Sequence, residues 1–198
     1  SLADISGSVL GSRVAGALIY GVPESDKGPQ KTLSGDLRLD QIFLEGIASL
    51  VLGPRAPARS NAIWPDLKFA PALADPPRAD IRISAGKFIL PGGASGTNAR
   101  FRLALAPGFA ELNEASLALA GGQVSGRLAI RRDGANASAG GEVSYDGPFA
   151  GARDFSGQAR ARIEFAGAGA NYGAIAASLA GRGEIELTDL RIAAADPS

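Results

Sequence analysis

Every second residue from Phe155 to Phe165 is apolar or small: Phe155, Gly157, Ala159, Ala161, Ile163 and Phe165, with Ser156, Gln158, Arg160, Arg162 and Glu164 between them. A strand sends successive side chains to opposite faces, so this period of two specifies one dry face and one wet face. A helix would scatter the same residues around its axis. The pattern recurs in Ile81, Ile83 and Ala85, in Ala99, Phe101, Leu103 and Leu105, and in Val124, Gly126, Leu128 and Ile130. Asp133-Gly134 and Asp146-Gly147 are tight-turn signals between such runs. Short connections of this kind make neighbouring strands antiparallel.

The expected fold is therefore mainly β: an antiparallel, elongated or curved sheet, either groove-like or a sandwich, with two short helices. Strands are expected over residues 13–20, 35–39, 79–85, 87–90, 97–105, 109–119, 122–131, 135–145, 154–165 and 183–192. A Pro-Gly-Gly turn follows Leu90. Asp40 is expected to cap a helix reaching about Leu52, with Phe43, Ile47, Leu50 and Val51 on one face and Gly53-Pro54 as its stop. Asn171 is expected to cap a second helix, with Tyr172, Ile175, Ala176 and Leu179 at helical spacing and Gly181 closing it. Residues 21–32 read as a polar loop. Residues 54–77 read as a proline-rich loop carrying Trp64 and Phe69, with a short strand at 66–69. The whole reads as one β-rich fragment, with a strand–helix–loop segment over 1–78 and an antiparallel segment over 79–198. A small residue followed by Gly recurs near strand starts, at Ser34-Gly35, Ser125-Gly126, Ser156-Gly157 and Ala180-Gly181. Their spacing is too irregular for a solenoid.

Composition narrows the chemistry. Among 198 residues there is no Cys, His or Met. Disulfides, thiol chemistry and the commonest general base and zinc ligand are thereby removed. No metal site and no cofactor are expected. Twenty basic residues balance twenty acidic ones, so no nucleic-acid partner is expected. The longest apolar stretch, Ile47-Ala-Ser-Leu-Val-Leu52, is far short of the ~20 residues that span a bilayer. The chain opens on Ser1 rather than a methionine, which reads as a processed product or a piece of a larger chain.

Motifs that resemble catalytic devices have plainer readings. Gly167-Ala-Gly-Ala-Asn-Tyr-Gly173 follows a strand and opens a helix, but its glycine spacing is wrong for a dinucleotide fingerprint. The preceding strand also alternates, whereas a Rossmann strand is apolar on both faces. Ser95 and Ser125 have glycine neighbours but no His to activate them. The carboxylates Asp36 and Asp40, or Glu184 and Glu186, fit a solvated strand face better than a glycosidase pair. Asn136-Ala-Ser138 matches a glycosylation sequon, a match common by chance. Arg100, Arg102, Arg127, Arg131, Arg160 and Arg162 are interleaved with Glu142, Asp154 and Glu164, as on a solubilising surface. No enzymatic activity is expected.

Two segments carry a family likeness. One is Leu117-Ala-Leu-Ala-Gly-Gly-Gln-Val-Ser-Gly-Arg-Leu-Ala-Ile-Arg-Arg-Asp-Gly134. The other runs from Asp154 through the glycine-rich stretch and the helix ending Ser178-Leu-Ala-Gly-Arg-Gly183 to the strand ending at Ile192. Together they resemble bacterial AsmA-family proteins, TamB-related members included, over the region from Ala115 to Asp196. Leu33-Ser-Gly-Asp-Leu-Arg-Leu-Asp40 and the stretch from Trp64 to Phe69 fit the same layout. The resemblance implies a Gram-negative envelope protein in the periplasm, attached to the inner membrane through an N-terminal helix outside this sequence. It implies stacked antiparallel strands around a hydrophobic groove, with roles in phospholipid transport and outer-membrane assembly. Phospholipid acyl chains are the implied ligand. Envelope proteins, or the rest of the same chain, are the implied protein partners.

The question left open is what the dry face covers. If it carries lipid, Phe101, Leu103, Val124, Leu128, Ile130, Ile163, Phe165, Ile185 and Leu187 should line it, since they share parity within their strands. The alternative is a structural or adhesive β-sandwich module with a closed core and no ligand. Far-UV circular dichroism should be strand-dominated. A spectrum with more than about a third helix, the share in average globular proteins, contradicts the strand assignment.

Overall fold

Alternation over so much of the chain produces one sheet. The computed structural model describes residues 2–9, 12–22, 31–53, 68–70, 78–150 and 155–192. The strands are β1 (Leu2–Val9), β2 (Ser12–Gly21), β3 (Thr32–Phe43), β4 (Arg78–Ile89), β5 (Ser95–Ala106), β6 (Phe109–Leu119), β7 (Gly122–Asp133), β8 (Asn136–Ala150), β9 (Phe155–Gly169) and β10 (Ala180–Ile192). Helix α1 (Leu44–Leu52) lies between β3 and β4, and α2 (Tyr172–Ala177) between β9 and β10. A single 3-10 turn, Pro91–Gly93, joins β4 to β5. The ten strands form one sheet whose spatial order is their sequence order. There is no second sheet among the described residues to make a sandwich.

All neighbours are antiparallel except β3 and β4, which are parallel. A parallel pair needs a crossover. Here α1 follows β3, and β4 begins with Arg78 opposite Thr32, at the starting end of β3. Residues 1–78 and 79–198 thus join in one sheet through the pairing of β3 with β4.

Several local expectations change. Strand β1 has no counterpart among the expected strands. Asp40 does not cap a helix: it is extended in β3, and its Oδ2 accepts from Arg13 Nε at 2.8 Å. Pairing with β4 carries β3 on to Phe43, opposite Ile89, so ladder hydrogen bonds override the local cap. Helix α1 starts at Leu44 and turns Ile47, Ala48, Val51 and Leu52 inward, leaving Phe43 and Leu50 exposed. Asp146-Gly147 is not a turn. It lies within β8, with Asp146 opposite Gln123 and Gly147 opposite Ala159. The turn at Asp133-Gly134 does form, with Gly134 at φ 57°. Asn171 caps α2, its Oδ1 accepting from the Ala174 N–H at 2.7 Å, but Gly181 belongs to β10 rather than closing the helix. Of the proposed short strand at 66–69, a single bridge from Lys68 to Asn171 is present, and residues 66 and 67 lie outside the described residues. Trp64 does too.

The small-plus-glycine echo has a physical basis. Gly35, at φ 143°, lies opposite Leu18, and a Cβ there would sit 2.1 Å from the Ala17 carbonyl oxygen. Gly126 repeats this against the Glu142 oxygen, also at 2.1 Å. A side chain at either position would force the neighbouring strands apart.

The core gathers where α1 meets the sheet. Ile47, Val51 and Leu52 pack with Ile81, Ile83, Phe101, Leu103 and Leu112. Phe88 and Phe101 meet edge to face at 5.8 Å. Each such burial contributes about 1.5–3 kcal/mol. Helix α1 touches β3, β6 and β7, and α2 touches β8 and β9. Arg132 ties these parts together. Its Nη1 donates to the carbonyls of Leu52, at 2.9 Å, and Ala70, at 2.7 Å. Its guanidinium lies 5.7 Å over the Phe69 ring, and Phe69 meets Tyr172 edge to face at 5.3 Å. One side chain therefore satisfies an orphan carbonyl at the end of α1 and holds the 68–70 segment beside α2. Arg132→Ala should lower stability by about 2 kcal/mol, the scale for losing charged hydrogen bonds to buried carbonyls. Urea denaturation checks this, and an unchanged midpoint would show that Arg132 is dispensable.

Candidate functional site

Paired residues of antiparallel strands project to the same side, so register carries the dry face across the sheet. One row runs Leu103, Leu112, Leu128, Gly141, Phe165, Gly181. The next runs Gly126, Val143, Ile163, Gly183, and a third Val124, Tyr145, Ala161, Ile185. Leu187 lies opposite Ala159. The nine residues named above therefore share one face.

Burial divides that face into three parts. Phe101, Leu103 and Ile130 are each only 5% exposed and belong to the cluster closed by α1. Phe101 and Leu103 are core positions that a ligand reaches only by displacing packed side chains. Leu128, Ile130 and Phe165 line a crevice of about 150 Å³ between α1 and α2, together with Leu44, Leu52, Tyr172, Ile175 and Leu179. That wall is almost wholly apolar. Beyond the crevice the face is uncovered. Val124 is half-buried, while Ile163, Leu187 and Ile185 are 45%, 46% and 68% exposed. Phe155 and Leu190 are exposed as well. Helix α2 packs on β9 and β8, and Ile175, its buried residue, joins the core cluster rather than this outer part. The rows of register thus lead from a closed core, through a crevice, to an open apolar wing.

The opposite face is charged and cross-linked. Arg82 Nε donates to Asp36 Oδ1 at 2.7 Å, and Arg102 Nε to Asp80 Oδ1 at 2.6 Å. These hydrogen bonds hold both carboxyls below the usual carboxylate range. Arg160 pairs with Asp146, Arg162 with Glu142, and Arg182 with Glu164. Arg131 stacks 4.4 Å over Phe109. Exposed pairs of this kind add little to stability and keep the face solvated. Asp36 and Asp40 each serve a different arginine, so they do not form a catalytic pair. The stretch 167–173 begins inside β9 and runs into α2, and β9 is antiparallel to both its neighbours, which is not the setting of a dinucleotide turn. Among the described residues, no three His, Cys, Asp or Glu side chains gather as a cation site requires.

Sequence reasoning misses two parts of the site. The lining from the helices (Leu44, Leu52, Tyr172, Ile175) depends on how α1 and α2 land on the sheet, which no local pattern encodes. Arg132 has a legible signal: it continues the dry parity of Leu128 and Ile130, so its charge stands on the wrong face for solvent and needs buried partners.

The division predicts unequal tolerance of charge. Phe101→Glu should unfold the protein, since an unpaired buried carboxylate costs several kcal/mol against a total stability of about 5–15 kcal/mol. Ile185→Glu should change stability by no more than about 0.5 kcal/mol, as at other surface positions. Thermal melts of both variants decide it, and equal losses would mean that the wing is packed.

The chain matches no protein-family model, no curated protein and no solved structure.

Proposed function

We propose that this protein is a lipid-handling module that holds acyl chains against the dry face of its sheet. The observation that carries the reading is the open wing. Ile163, Ile185 and Leu187 form an exposed apolar surface that continues into the apolar crevice, while the reverse of the same strands is charged and carries ion pairs. Contiguous exposed apolar surface of this kind marks an interaction site in a protein that otherwise solvates its surface.

Apolar contact suits carriage. Each buried methylene contributes about 0.8 kcal/mol, yet the contact has no preferred direction. A chain lying across Val124, Ile163 and Ile185 is held in place of water without being fixed at one register. No proton transfer, nucleophile or cofactor enters this role.

The AsmA-like segments supply the setting in this reading: a periplasmic body, phospholipid as cargo, and a part in outer-membrane assembly. Among the described residues no helix is long and apolar enough to cross a membrane. The inner-membrane anchor of this reading is a segment outside them.

Photoreactive residues placed one at a time at Ile163 and Ile185, and at their wet-face neighbours Arg162 and Glu184, test the proposal in cells. Lipid adducts should form at the first two and not at the second two. Ile163→Glu should abolish adducts at position 185 while the melting temperature stays close to that of the unsubstituted protein. Adducts on both faces, or on neither, would overturn the reading.

A further inference from the structure

Two stretches of the wet face, β3 to β5 and β8 to β10, share one pattern of ion pairs. Asp36 of β3 pairs with Arg82 of β4, and Asp80 of β4 with Arg102 of β5. Glu142 and Asp146 of β8 pair with Arg162 and Arg160 of β9, and Glu164 of β9 pairs with Arg182 of β10. In these five pairs the acid lies on the earlier strand and the arginine on the next one, while Arg13 of β2 and Asp40 of β3 run the other way. At β10 the ladder stops with two acids left over. Glu184 lies opposite Arg162 and Glu186 opposite Arg160, but both arginines bond back to β8. Among the described residues no ion pair reaches Glu184 or Glu186.

The backbone at this edge is also open. Among the described residues β10 is the last strand of the sheet, and its described side chains are exposed throughout. It carries neither proline nor lysine, the usual guards of a free edge. Its dry face, with Ile185 and Leu187, continues the apolar wing to the rim.

We propose that the free edge of β10 pairs with an extended strand of a partner protein that presents Arg or Lys at alternate positions, with apolar residues between them. The ladder hydrogen bonds hold the strand, the two cations meet Glu184 and Glu186, and the apolar residues extend the wing. The protein's own interior strands show the required form in Arg100-Phe101-Arg102 of β5 and Arg160-Ala161-Arg162 of β9. A second copy is a poor occupant. Strand β1, the other edge, has no basic residue. An antiparallel β10 pair that matches Arg182 with Glu186 sets the two Glu184 side chains against each other. Residues 193–198 (AAADPS) contain no cation either. The proposal does not depend on lipid carriage.

The test uses two labelled peptides, one alternating arginine and valine and one alternating glutamate and valine, titrated by fluorescence anisotropy. The arginine peptide should bind about tenfold or more tightly than the glutamate peptide, and salt should weaken it. Hydrogen exchange should slow at β10 amides and not at β1. The Glu184→Lys, Glu186→Lys double variant alters exposed side chains and should melt as the unsubstituted protein does, while reversing the peptide preference. Equal binding of both peptides, no binding of either, protection away from β10, or self-association through β10 in sedimentation would each overturn the proposal.

Discussion

A single sheet with one dry face has to cover that face, and the two helices among the described residues cover only part of it. Ten strands at about 4.8 Å spacing make a sheet roughly 43 Å wide. Helices of nine and six residues are only about 13 and 9 Å long. Each covers a patch about 10 Å across. The geometry forces a remainder. Part of the dry face becomes core under α1, part becomes the wall of a crevice, and the rest stays open from Val124 to Leu187.

The helices depend on the sheet in turn. Neither is long enough to persist alone in water, because nucleation is costly and few hydrogen bonds repay it. Ile47, Val51 and Leu52 hold α1 by burial, and Arg132 fastens its last turn from below. The same guanidinium reaches Ala70 and stacks on Phe69, which meets Tyr172 at the start of α2. The size of the crevice therefore rests on one half-buried cation and one aromatic pair, as well as on the apolar side chains that line it.

The wet face solves a different problem. An open sheet with an apolar wing stays in solution only if its reverse side is strongly hydrated. The alternating Asp/Glu and Arg ladder achieves this while each pair adds a small cross-strand attraction. From β8 to β10 the acids Glu142, Asp146 and Glu164 each pair with an arginine of the next strand, and Glu184 and Glu186, on the last strand of the described sheet, have no next strand to supply one.

Alternation in Ile81 to Ala85, Val124 to Ile130 and Phe155 to Phe165 determined by itself that these segments are strand and which side of each is dry, and the short connections implied mostly antiparallel neighbours. Side-chain direction in a strand is a local property of the backbone, so period two is enough to read it. The Asn171 cap and the Asp133-Gly134 turn were legible for the same reason. Longer-range competition decided the rest. Asp40 was a good cap that lost to pairing with β4, and Asp146-Gly147 was a good turn that lost to pairing with β9. The parallel step between β3 and β4, the landing of α1, and the split between buried Phe101 and exposed Ile185 belong to the tertiary structure alone. Parity says which face a residue is on, but only the placement of distant elements says whether anything covers it.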